Sequence, residues 1–348
     1  MNKIIRVLVV DDSAFVRKVV REMLSRSPLI EVVGAARDGE DALEMVESLN
    51  PDVVTLDLIM PVLDGVGFLR KQMARRPLPV VAVSIASETG ELALDALDAG
   101  AVDFIQKPTA LSTEKIFEIT DELLEKVKTA AEVSMKRIRP RPAPTAMAPA
   151  AVPAPEVAER MDAVVLGIST GGPQALKTLI PQFPEGFPIP MALVLHMPVG
   201  YTKLFAQQLD KVSPLRVKEA EEGDLFVAGT VLLAPAGRHL KFERETDGRV
   251  LAHLDARPFD TPHRPSVNVL FESAANVFRD KTLGVIMTGM GTDGKEGAAW
   301  VKSQGGLIIT ESEETCVVYG MPRSVVEANL SDKQAPLDEM ARTIMETI

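Results

Sequence analysis

Cysteine is almost missing from this chain: Cys316 is the only one in 348 residues. A disulfide within the chain is impossible, and a zinc site built on thiolates is excluded. Basic charge is short as well. Lys and Arg number 38 against 49 Asp and Glu, a formal charge of -11. No basic stripe is available to neutralise phosphates, so nucleic acid is excluded as a partner. No apolar run approaches the ~20 residues that a membrane helix needs. Residues Met1 to Val10 carry a lysine and an arginine around a short apolar run, but this ends in Asp11-Asp12 without a small-residue cleavage pattern. The expectation is a cytoplasmic protein with no direct membrane insertion.

What is present is ordinary for a globular protein, 46% hydrophobic and 25% charged, and long enough for two domains with a core each. One stretch breaks the pattern. Residues 139 to 158 hold six prolines and seven alanines in twenty, with no aromatic residue, and read as an extended, semi-stiff linker. Patterned sequence resumes at Asp162, so this is not a tail. The predicted boundaries are 1–128 for a first domain, closed by an amphipathic helix over Thr113 to Lys128, 129–158 for the linker, and 159–348 for a second domain.

Both halves alternate short apolar runs with helical patterns, the signature of parallel α/β sheets. Strands are predicted at Arg6–Val10, Ile30–Val33, Val53–Leu56, Val80–Val83 and Val102–Ile105 in the first half. In the second they fall at Ala163–Gly167, Met191–Leu195, Thr230–Leu233, Leu283–Met287 and Leu307–Thr310. The first set predicts a five-stranded, doubly wound sheet of flavodoxin-like size. The second predicts another doubly wound α/β domain with a mainly parallel sheet. In such sheets, sites lie at the carboxyl ends of strands.

Asp11 and Asp12 follow the first predicted strand and Asp57 the third, so three carboxylates converge on one sheet edge. Clustered carboxylates repel unless a cation neutralises them, and oxygen ligands suit Mg²⁺. Ser84 and Lys107 follow the fourth and fifth strands and add a hydroxyl and an ammonium. Together these groups can hold a phosphoryl group, with Asp57 as the nucleophile that accepts it. Taken singly, an Asp-Asp pair is a solvated turn or a cap, and a Lys-Pro is a loop; only the joint arrangement points to chemistry.

Over about residues 4 to 128 these motifs resemble the response-regulator receiver family. They are Val-Asp-Asp-Ser at 10–13, Leu-Asp-Leu-Ile-Met-Pro-Val-Leu-Asp-Gly at 56–65, Ser84, and Gly-Ala-Val-Asp-Phe at 100–104 before Lys107-Pro108. The resemblance implies phosphotransfer from a partner histidine kinase to Asp57. It implies Mg²⁺ on Asp12, Asp57 and the Ile59 carbonyl, with Asp11 steadying the metal from one layer out. Ser84, Lys107 and Phe104 would respond to the phosphate, and Pro108 would be cis. Ile59 stands where some related receivers carry Glu, a change that a carbonyl ligand survives.

In the second half, Gly167-Ile-Ser169-Thr170-Gly171-Gly172-Pro173 follows an apolar strand and opens a helical pattern. Glycine permits a sharp turn and proline suits the first helical position. Ser169 would then lie where helix N–H groups point, useful for stabilising an oxyanion. The motif alone is weak, and a Gly-rich phosphate cradle is the bland alternative. A serine nucleophile needs a base. Of the four histidines, His196 ends a strand at the same sheet edge. His239 reads as a turn cap, His253 as structural, and His263 as a loop residue able to line a cleft. Met287-Thr-Gly-Met-Gly-Thr-Asp293-Gly offers the acid, Asp293. Neither a P-loop Lys-Ser pair nor the G-x-G-x-x-G spacing is present there, and the chain order Ser, His, Asp differs from the common α/β-hydrolase order.

Over about residues 160 to 345 the chain resembles the catalytic domain of chemotaxis protein-glutamate methylesterases. The matching blocks are those above with His196-Met-Pro, Leu-Ala-Pro-Ala-Gly-Arg-His-Leu at 233–240, His-Arg-Pro-Ser-Val at 263–267 and Glu-Thr-Cys-Val-Val-Tyr-Gly-Met-Pro at 314–322. The resemblance implies hydrolysis of glutamate methyl esters on methyl-accepting chemoreceptors, with deamidation of receptor glutamines at the same site. Ser169, His196 and Asp293 would be the triad, Thr170 and the Met290 N–H would border the oxyanion, and no cofactor would be needed there. Leu195 stands where Gln often precedes the histidine, and Asn268 where Asp often stands. Neither belongs to the triad, so hydrolysis is expected to survive; cleft polarity is what they touch. The rival from another class is a receiver with a degenerate output, a phosphate sink or binding module, against which the intact set argues. A DNA-binding output lacks any basic helix-turn-helix pattern.

Overall fold

The computed structural model describes residues 3–84, 90–107, 113–135 and 160–348, with the side chains of 84 and 113–118 outside that set. The predicted linker core at 139–158 and the expected cis Pro108 lie outside the described residues. The described residues fall into two compact units, one within residues 1–143 and one within 144–348.

In the first unit, β1 (Ile5–Val10), β2 (Ile30–Ala36), β3 (Val53–Asp57), β4 (Val80–Ser84) and β5 (Asp103–Gln106) form a parallel sheet in the order β2-β1-β3-β4-β5. Strand β3 is buried along its whole length. Helices on both faces explain why it reads as a mostly apolar run, broken only by the buried Thr55 before Asp57, rather than an alternating one. Order reverses at β1, whose neighbours are β2 and β3, so the ends of β1 and β3 open onto the crevice where such sheets bind ligands. The closing helix spans Thr113–Glu132, beyond the expected Lys128.

The second unit is built on a seven-stranded parallel sheet in the order β14-β13-β12-β6-β7-β9-β8. The strands are β6 (Ala163–Ile168), β7 (Met191–Leu195), β8 (Arg216–Glu219), β9 (Thr230–Leu233), β12 (Thr282–Ile286), β13 (Leu307–Glu311) and β14 (Lys333–Ala335). A separate antiparallel hairpin pairs β10 (His239–Arg244) with β11 (Val250–Asp255). Here β6 is the switch point, flanked by β12 and β7. Strands β6, β7 and β12 are buried throughout.

Every predicted strand is present within a residue or two, β2 being longer. The strands the sequence reading missed share a cause. β8 and β14 are short, charged or polar strands at the two sheet edges, where few apolar residues are required. The hairpin buries Leu240, Phe242, Val250 and Ala252 along one face, and Phe242 stacks on Phe226 at 4.2 Å beside Phe278 of the helix Val267–Phe278. Its alternation is genuine, but it belongs to no βα unit.

Candidate functional site

In the first unit, Asp11 directly follows β1 and Asp57 ends β3. Their carboxylates share one ammonium: Lys107 Nζ lies 2.7 Å from Asp11 Oδ2 and 2.7 Å from Asp57 Oδ2. All three groups are buried. Burial pushes the Asp57 carboxyl up, with Asp11 adding to the rise, and the lysine offsets only part of it. Burial would lower the Lys107 ammonium, but two carboxylate partners overcome it and hold its pKa above the usual lysine value.

Asp12 is exposed, and one carboxylate oxygen from each of Asp11, Asp12 and Asp57 lies within 4.8 Å of the others. Among the described residues, Lys107 pairs with two of these three carboxylates, and the Arg17 guanidinium donates to the Asp11 and Asp12 carbonyls rather than to their side chains, which leaves a surplus of formal negative charge. That surplus and the all-oxygen donor set fit a divalent hard cation such as Mg²⁺. Ile59 hugs the same carboxylate, its N–H donating to Asp57 Oδ1 at 3.3 Å. Ser84 ends β4 paired with Gln106 of β5, one residue before Lys107, so both reach this edge. Phe104 is buried, with Lys126 Nζ 5.8 Å from its ring centroid.

In the second unit the three predicted catalytic residues follow adjacent strands around the switch point. Ser169 follows β6, His196 follows β7, and Asp293 lies in the loop after β12. Ile168 pairs with Leu195, and the His196 N–H donates to the Ile168 carbonyl at 3.2 Å, which sets the serine and histidine side by side. The turn after Ser169 is tight: Gly172 N–H donates to the Ser169 carbonyl at 2.6 Å, and Gly171 adopts φ +81°. An L side chain is strained in that region, and a Cβ at 171 would also sit 2.6 Å from Val317. Gly289 is required by close approach, since a Cβ there would come within 2.8 Å of Ser169 Cβ.

That approach ties the serine loop to the loop after β12. Ser169 N–H donates to the Thr288 carbonyl at 2.9 Å, and Thr288 Oγ1 donates to the Thr170 carbonyl at 3.0 Å. Thr288 N–H in turn donates to Oε2 of Glu311, a fully buried carboxylate on β13 that also accepts from Thr315 Oγ1. Met290 follows Gly289 directly, beside this junction.

His196 Nε2 lies 2.9 Å from Asp293 Oδ2. Burial alone would raise the Asp293 pKa. The hydrogen bond and charge of His196, with N–H groups of Val267 and Asn268, overcome that and hold it at about 2. An ionised carboxylate only accepts, so the hydrogen of this bond sits on His196 Nε2, and the other ring nitrogen is Nδ1. The exposed His263 stacks on the His196 ring at 4.1 Å. Its neighbour Arg264 belongs to the same loop.

Sequence reading missed three contributors. Asn268 donates its N–H to Asp293 Oδ1 and accepts at its own Oδ1 from the N–H groups of Gly294 and Gly297, each at 2.8 Å. Ser266 Oγ donates to Asp293 Oδ1 at 2.9 Å. His239 is no surface turn cap: it begins β10, fully buried, and accepts from Ser266 N–H. Leu195, in contrast, is wholly buried and its Cδ1 lies 2.7 Å from where a Cβ on Gly172 would stand. It packs under the serine turn and leaves cleft polarity alone. The signal for Ser266 and His239 was present in two matching blocks, His-Arg-Pro-Ser-Val and Ala-Gly-Arg-His-Leu, to which no chemistry had been attached.

Comparison with known proteins covers both units. The family model for CheB methylesterase matches residues 164–344, more than half of the chain, and that for the response regulator receiver domain matches residues 7–119. A protein-glutamate methylesterase/protein-glutamine glutaminase of Myxococcus xanthus is 52% identical over 338 residues, 97% of this chain and 96% of that protein. One from Symbiobacterium thermophilum is 45% identical over 99% of this chain and 97% of that protein. The crystal structure of the Thermotoga maritima CheB methylesterase catalytic domain aligns with a TM-score of 0.53 and 42% identity, covering 54% of this chain and 99% of that one. At this identity over nearly the full length, the chain belongs to the CheB methylesterase family, in the form that carries a response regulator receiver domain ahead of the catalytic one.

Proposed function

We propose that this protein is a phosphorylation-activated serine hydrolase that removes methyl groups from glutamate side chains of chemoreceptors and deamidates receptor glutamines, acting in the cytoplasm during chemotaxis adaptation. The proposed organisation is a receiver over 1–128, a linker over 129–158 and a catalytic domain over 159–348. The observation that carries the reading is the 2.9 Å contact of His196 Nε2 with Asp293 Oδ2, with the next strand end presenting Ser169.

The reaction follows from those groups. Ser169 Oγ attacks the ester carbonyl while His196 Nδ1 takes its proton, and Asp293 stabilises the imidazolium that results. The tetrahedral oxyanion is stabilised by donors from the Thr170 turn and the Met290 N–H. Collapse expels methoxide, which leaves as methanol with the His196 proton, and an acyl-serine remains. Water then attacks the acyl carbon, again deprotonated by His196, and releases the glutamate carboxylate and free Ser169. A glutamine amide passes through a similar tetrahedral intermediate and releases ammonia.

In the receiver, Asp57 is the phosphoacceptor and a chemotaxis histidine kinase the donor. Asp12, Asp57 and the Ile59 carbonyl would hold Mg²⁺, with Asp11 behind them; the ion supplies charge neutralisation for the incoming phosphoryl oxygens. Lys107 balances the remaining negative charge, Ser84 donates a hydrogen bond to the phosphate, and Phe104 reports the change by shifting rotamer.

A methanol-release assay on methylated chemoreceptors tests the reading. Wild type should release methanol and the S169A variant should not. Equal release by both would remove the serine mechanism, and release by neither would leave the degenerate-output alternative.

A further inference from the structure

The carboxylate of Asp293 is saturated. An ionised carboxylate offers about four lone-pair directions, and here each oxygen accepts twice. Oδ2 takes His196 Nε2 at 2.9 Å and Val267 N–H at 2.8 Å. Oδ1 takes Ser266 Oγ at 2.9 Å and Asn268 N–H at 3.1 Å. Three of these donors come from consecutive residues at the start of the helix Val267–Phe278, a polarity that suits an anion. The fourth is the base itself.

Ser266 differs from its two neighbours because its donor is a side chain and can be removed without touching the backbone. Its proton has only one destination, since the carboxylate cannot donate. Its own N–H is fixed as well, donating to His239 Nδ1 at 3.2 Å. That bond requires the tautomer with the proton on His239 Nε2, which faces the Pro258 carbonyl at 3.1 Å. His239 is fully buried, and burial holds its pKa below the usual histidine value. The order of protons is therefore set from His239 through Ser266 to Asp293 and His196.

We infer that Ser266 is a positioning residue of the hydrolase site: its hydroxyl, anchored through His239, locks the Asp293 carboxylate in the rotamer that aims His196 at the nucleophile. With the hydroxyl gone, Oδ1 loses one of its two donors. The carboxylate is then held by three donors instead of four, with Oδ1 kept by the Asn268 N–H alone, and a shift of its plane moves the imidazole it holds. Misplacement of a catalytic group by about 1 Å can lower the rate about 10²-fold. The inference rests on the proposed roles of Ser169, His196 and Asp293.

The test uses the full-length protein, phosphodonor and chemoreceptors carrying labelled methyl groups, with kcat, KM and the thermal midpoint measured for S266A, S266C and S266T. Cysteine keeps the volume but is a weak donor, so it reports on the hydrogen bond even if alanine at this buried position impairs folding. S266A and S266C should lose about 10- to 100-fold in kcat, with KM within about twofold and S266T recovering most of the loss. Wild-type kcat in S266C, a loss confined to KM, or an S266T variant as slow as S266A would each overturn the inference. S169A in the same assay keeps the two readings apart. If S169A is dead while S266C is fully active, only the role of Ser266 falls; if S169A is active, the triad itself falls.

Discussion

The two units each bury an aspartate at the carboxyl end of a parallel strand or in the loop beyond one, at or beside a switch point, and they treat it in opposite ways. Asp57 has a second buried carboxylate beside it and shares one lysine with it, and its pKa is raised. Asp293 receives four hydrogen bonds, and its pKa falls to about 2. Burial pushes both groups the same way, so the donors and neighbouring charges decide the outcome. The proposed roles fit that difference: Asp57, electrostatically unsettled, is the one proposed to gain a cation and then a phosphoryl group, and Asp293, saturated, is the one proposed to stay as it is while His196 gains and loses a proton.

The sharpest way to break that comparison is to disable each site alone. S169A should remove nearly all hydrolysis, a loss of about 10⁴-fold or more, and leave phosphate uptake intact. D57N should abolish acid-labile phosphate uptake and leave the basal hydrolysis of the unphosphorylated chain. Labelled phosphodonor and methanol release, measured on both variants, check the pair. Stable phosphate on another carboxylate of D57N would show that Asp57 is not the acceptor.

D293N comes next. It keeps the shape and loses the charge that fixes the Nε2 proton of His196, so turnover should fall by up to ~10⁴-fold with little change in KM. Combining it with H196A should cost no more than the larger single effect. If H263A kills activity while H196A does not, the base is the stacked partner His263 rather than His196.

K107A should have a smaller effect. It removes the one cation shared by Asp11 and Asp57, so phosphate uptake persists while the gain in hydrolysis on adding phosphodonor shrinks. A full gain in K107A would mean that the lysine only neutralises the pocket.

The smallest effect is on stability. Asp293 has a folded pKa of about 2, below the ordinary value of 3.8, so its ionised form contributes on the order of 2 kcal/mol. Because the folded value is depressed, that contribution is complete above about pH 4 and is lost as the pH falls through about 2. Urea unfolding of wild type and D293N should show a gap that narrows over this window. A gap of constant size would mean that the bonds to Asp293 matter through geometry and not through charge.

How much was legible in the sequence follows the same division. Strands buried on both faces appear as apolar runs, so β1, β3, β6, β7 and β12 were readable, and with them the sheet edges that hold Asp11, Asp57, Ser169 and His196. Asp293 was readable because its loop is dense in glycine. Ser266 and His239 were not, because their work is done across 27 residues of sequence by single hydrogen bonds, which leave no periodic trace. The same holds for Glu311, which closes a strand and anchors Thr288 from 23 residues away. Edge strands such as β8 were lost because an edge needs charge more than it needs apolar surface.

The central claim is that chemistry at Asp57 governs chemistry at Ser169. The direct measurement is the rate of methanol release from methylated chemoreceptors before and after addition of a small-molecule phosphodonor with Mg²⁺, for wild type and D57N side by side. The account predicts a clear rise in wild type and a flat response in D57N. An equal rise in both, or no rise in a wild type shown to carry phosphate on Asp57, would contradict it.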